Sequence, residues 1–157
     1  MKTKINYLIK EFLWLLIAFL VCAIVQFPIY QKIEYKFLLS NSLIIVASVL
    51  YIKSALDFKN LIYLKNKWIR IVFFVVNLFV FISIIPTLQN IIILFDSFTI
   101  MSFTDKFVLL SPPTESFLLK YIQNEYLLFS IVTIIGLIIV NILILKSFWN
   151  KNYFKKE

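Results

Sequence analysis

The chain has 157 residues, 62% of them hydrophobic and 18% aromatic, and its mean hydropathy is +0.94. A soluble domain is roughly 45–50% apolar, so an ordinary globule is excluded. The 15% of charged residues fall in short clusters between long apolar runs, the pattern of a polytopic membrane protein.

Composition also removes much chemistry. With no histidine, His metal sites and Ser-His or Cys-His nucleophile pairs are excluded. The lone Cys22 sits in an apolar run and reads as a small packing residue. The lone Gly136 rules out glycine-rich phosphate loops and dinucleotide fingerprints. No catalytic, cofactor-binding or metal site is therefore expected. The formal charge of +8 comes from 16 basic against 8 acidic residues. Because the basic residues flank apolar runs, they read as topological anchors, and nucleic-acid binding is not expected. Fifteen of the 16 are Lys, which, with abundant Ile, Phe and Asn, fits the coding bias of an AT-rich bacterial genome.

Taken in chain order, the runs predict an all-α integral membrane fold. It forms a single domain of four transmembrane helices in a compact bundle. The first helix is expected over 12–30; a signal peptide is the rival reading, but the apolar run continues past its weak cleavage site. The second, over 37–56, is the weakest, since it spans only if Lys53 snorkels. The third, over 71–95, carries Pro86, where a lost backbone donor should kink or end it. The fourth, over 126–145, is the clearest. Between the last two lies an outer loop, 96–125, rich in Phe, Ile and Leu. It is read as an amphipathic interfacial segment over 97–110, then a helix start at Ser111-Pro112-Pro113 leading into the fourth helix.

With both termini cytoplasmic, twelve basic residues fall inside and four outside. A three-helix alternative without the second span gives eleven against five. The interface anchors Trp14, Trp68 and Trp149 favour four helices, because all three then lie at the cytoplasmic boundary of a bacterial inner membrane.

No acid is expected within the central part of a span, which argues against a proton relay or buried cation site. The uncharged polar residues inside the spans are Gln26, Asn41, Asn77 and Asn141, together with Ser130 and Thr133. In lipid they need partners, so they are expected as interhelical contacts. Depth pairs Gln26 with Asn41 in an outer layer and Asn77 with Asn141 in an inner one. Beyond the lipid bilayer itself, the expected partner is another membrane protein or further copies of the chain. A non-enzymatic subunit or scaffold of a membrane complex fits best. The alternative is a homo-oligomeric pore or permeability factor, including a membrane-targeting toxin or defence effector. An enzyme acting on lipid would need an interfacial carboxylate, for which Asp96 and Asp105 are the choices.

Overall fold

In a computed structural model, which describes residues 2–97, 103, 104 and 110–150, the chain is all-helical. Helix α1 spans Lys2–Tyr30, α2 Leu38–Leu56, α3 Lys67–Ser97 and α4 Pro112–Trp149. All four are long and apolar enough to cross a membrane. Two single 3-10 turns, Phe58–Asn60 and Ile62–Lys65, carry the chain from α2 to α3.

The helix limits differ from the apolar runs chiefly at two starts, since α1 begins at Lys2 rather than 12 and α3 at Lys67 rather than 71. Helix α3 runs through Pro86 to Ser97, although the proline has no N–H to offer the preceding turn. Helix α4 begins at Pro112, at the helix start expected from Ser111-Pro112-Pro113, and continues unbroken into the fourth span. Ser111 caps α4 from an extended backbone with proline at the first helical position, and Glu115 puts a negative charge in the first turn. The Ser111 hydroxyl meets the Thr114 hydroxyl at 2.8 Å. Of the expected interfacial segment, 98–102 and 105–109 lie outside the described residues.

Contacts fix the packing order as α1, α2, α4, α3, with α2 and α4 central. At the end carrying both termini, Lys53 of α2 pairs with Glu11 of α1, and Asp57 just beyond α2 pairs with Lys10. These contacts make α1 and α2 antiparallel. Arg70, in the first turn of α3, reaches Ser147, in the last turn of α4, at 2.9 Å, so that pair is antiparallel too. In contrast, α2 and α4 run parallel: Asn41 bonds Glu125 near their starts, and Tyr51 meets Gly136 further along.

Small residues permit that central contact. A Cβ built on Gly136 would lie 2.7 Å from the Tyr51 Cβ, closer than carbon atoms approach, so only glycine lets the two helices meet here. One apolar cluster closes the loop end of the bundle, where Ile29, Ile33, Tyr35, Phe103, Leu118 and Ile122 pack together. There Lys36 N–H donates to the Phe103 carbonyl at 3.0 Å, beside an isolated antiparallel bridge between Tyr35 and Thr104. A second cluster, of Phe58, Leu61, Leu64, Val140 and Ile144, closes the termini end. Outward, α3 is the least buried helix and presents Val72, Val75, Val76, Phe79 and Ile82.

Candidate functional site

The polar side chains of the spans gather in two layers. The first joins three helices in its hydrogen bonds. Tyr51 of α2 donates to Asn77 Oδ1 of α3 at 2.9 Å, and Asn77 Nδ2 donates to Asn141 Oδ1 of α4 at 3.1 Å. Asn77 is fully buried. Its amide acts as acceptor to one neighbour and donor to the other, so the chain of hydrogen bonds closes without leaving a charge. Two turns nearer the termini, Arg70 donates to the Ser147 carbonyl and hydroxyl and lies 4.9 Å over the Phe148 ring. The guanidinium is thereby held between α3 and α4 at the bundle end.

Between the layers, the Thr133 hydroxyl donates to the Phe129 carbonyl at 2.8 Å and lies 3.3 Å from the Ile44 carbonyl of α2. This ties the α2–α4 seam one turn from Gly136.

The second layer lies near the loop end and differs from expectation. Gln26 and Asn41 do not bond each other. The Asn41 amide instead donates to the Glu125 carboxylate, because α2 stands between α1 and α4 and this face of α2 turns toward α4. Glu125 itself is 7% exposed. Glu125, which the sequence reading counted with the outer loop 96–125, is thus buried inside the bundle near the loop end of α4. Gln26, on α1, is buried with both amide atoms unbonded, and Ser130 is fully buried with its hydroxyl unbonded. Tyr35, in the connection before α2, faces the same group. Burial pushes its phenol well above the ordinary value, with the nearby Glu125 and Tyr126 adding to the shift and Asn41 opposing it.

At the termini end, Lys53 does not snorkel. It is 3% exposed and ion-paired with Glu11, because a packed neighbour supplies the counter-charge before the side chain must reach water. A cavity of about 350 Å³ opens beside this pair, lined by Glu11, Ala47, Leu50, Tyr51, Lys53, Ser54, Tyr63 and Phe73. Burial, helped by the Glu11 charge, raises the Tyr63 phenol, while Ser54 opposes the shift. Of the three tryptophans, Trp68 and Trp149 are exposed and Trp14 is half-buried. All three belong to the half of the bundle that carries the termini.

Sequence reading missed Glu125, Tyr51 and the Glu11–Lys53 pair. A signal for Glu125 was present: Leu118, Ile122, Glu125, Thr133, Val140 and Ile144 recur at helical spacing and form one buried stripe on α4. Protein-family models, curated proteins and solved structures contain no match to this chain.

Proposed function

We propose that this protein is a non-enzymatic membrane protein of a bacterial cytoplasmic membrane, a small subunit or scaffold of a membrane complex, with both termini on the cytoplasmic side. One observation carries the reading. The polar groups of the spans are turned inward, and Asn77, Asn141, Tyr51, Thr133 and Asn41 bond partners within the same chain. A homo-oligomeric pore needs a polar stripe turned outward, toward its copies. What faces outward here is apolar along α1 and α3, with the exposed Ser83 hydroxyl bonded to the Phe79 carbonyl of its own helix. Such faces suit lipid or the apolar helices of a different membrane protein. Basic residues gather at one end, with Lys53 in the last turn of α2, Lys59 and Lys65 in the connection, and Lys67 and Arg70 in the first turn of α3, which supports placing that end in the cytoplasm.

The test is purification of the full chain from its native membrane in mild detergent after in-cell crosslinking, paired with reconstitution into dye-loaded liposomes. A stable heteromeric complex and tight liposomes are expected. A homo-oligomer that releases dye would overturn the scaffold reading in favour of the pore.

A further inference from the structure

The loop-end layer holds more hydrogen-bonding capacity than its own residues use. Glu125 Oε2, Asn41 Oδ1, Gln26 Oε1, Ser130 Oγ and the Tyr126 hydroxyl are buried and have no hydrogen-bond partner among the described residues. Register along the helices decides which of these oxygens come together. The Asn41–Glu125 bond fixes the register of α2 against α4. Register of α1 follows from two contacts, the Cys22 thiol 3.9 Å from the Ser42 carbonyl and the Tyr121 hydroxyl donating to the Val25 carbonyl at 2.9 Å. Gln26 is one turn beyond Cys22 and next to Val25, so it lies about one helical turn, ~5 Å, to the loop side of Asn41, a gap its long side chain can span. Tyr126 adjoins Glu125 in α4, whereas Ser130 lies ~7 Å beyond Glu125 and about 140° around the helix, outside this group.

Charge makes the cluster unusual. Among the described residues no Lys or Arg pairs with Glu125; its only hydrogen-bond partner is the neutral Asn41. The titratable groups that face it are Tyr35 from the α1–α2 connection and Tyr121 and Tyr126 from α4. A carboxylate packed in an apolar span is costly unless something positive joins it, and intramembrane ionisable groups mark binding sites for that reason. Apart from the Gln26 amide nitrogen, the unbonded atoms around Glu125 are oxygens, the ligand type of hard cations. One negative charge among neutral oxygens balances one positive charge, whereas a divalent ion would leave an uncompensated charge in a low dielectric. We propose that Glu125, Asn41, Gln26 and Tyr126 form a buried binding site for a monovalent alkali cation between α1, α2 and α4. The site goes beyond the scaffold reading and does not depend on which partner the protein joins.

Thermal unfolding of the full chain in nanodiscs tests this, with NaCl and KCl each titrated against choline chloride at constant ionic strength. The expected result is a saturable rise in Tm with one or both alkali ions and none with choline, since a ligand that binds the folded state stabilises it by mass action. Glu125→Gln should abolish the cation-dependent rise while leaving the helical circular dichroism intact. Should that variant not fold, Gln26→Leu decides: it should raise the half-saturating concentration about fivefold, the equivalent of one lost oxygen contact. Equal Tm in all three salts would overturn the site and leave Glu125 as a protonated buried acid. So would an alkali-dependent rise that survives unchanged in both variants.

Discussion

The two polar layers solve the same problem with different chemistry. Near the termini, Tyr51, Asn77 and Asn141 are neutral and complementary, and the Tyr51 hydroxyl and the Asn77 amide each find an acceptor on another helix. Near the loops, Asn41 donates to a carboxylate, and oxygens on three helices are left over. A neutral amide can serve as donor and acceptor at once, so a layer of amides and hydroxyls can close on itself. An ionised carboxylate only accepts, so a layer built around one stays open toward a cation or proton. The first layer therefore acts as adhesive and the second as a receptor, within one bundle.

The largest expected effect comes from the seam that serves both layers. Gly136→Leu forces a side chain against the Tyr51 Cβ, and overpacking at such a contact should cost about 3 kcal/mol. Reversible unfolding in mixed micelles should show it, and wild-type stability would mean that the α2–α4 approach is not tight. Asn41→Leu should cost about 2 kcal/mol, because it strands the buried Glu125 carboxyl without its donor. Combining it with Glu125→Leu should recover much of that loss, since both polar partners are then gone; an additive double variant would break the contrast between layers. In the closed layer, Asn77→Leu and Asn141→Leu should couple by about 1 kcal/mol in a double-mutant cycle, a typical interhelical hydrogen bond.

The smallest effect lies outside both layers, at Asp57. Burial alone would raise its carboxyl, but hydrogen bonds from Asn60 and Lys10 and the charges of Lys10 and Lys53 together hold it below its ordinary value. The stabilisation is thus complete above the unfolded value of about 4 and fades as pH falls through the lower folded value. Lys10 is half exposed, so Asp57→Asn should cost no more than about 0.5 kcal/mol at neutral pH and flatten the acid limb of the Tm profile. A steep limb retained in the variant would assign that acid sensitivity to another carboxyl.

The four apolar helices were legible because length and hydropathy alone decide whether a run can cross a bilayer. Asn77 and Asn141 were legible as one layer because depth along a helix is a matter of counting residues, and the structure joins them by a hydrogen bond. Rotation about the helix axis is not a matter of counting. Gln26 and Asn41 share a depth, yet whether Asn41 turns toward α1 or α4 depends on which helix stands between the others. Glu125 escaped for a related reason. Reading a span as an uncharged run ends it at the first acid, whereas α4 continues from Pro112 straight through that acid, its buried stripe setting the helix face.

The parallel pairing of α2 with α4 also has a consequence for biosynthesis. α2 is the least apolar of the four spans and carries Asn41, Ser48, Tyr51 and Lys53. Lys53 finds Glu11 of α1 and Tyr51 finds Asn77 of α3, but Asn41 waits for Glu125 of α4, the last of the four helices to leave the ribosome. Until then Asn41 lacks that partner and Tyr51 lacks its contact with Gly136, so a nascent chain stalled before 112 exposes the α4-facing side of α2 to the translocon and to membrane quality control. Final assembly therefore waits on the closing segment.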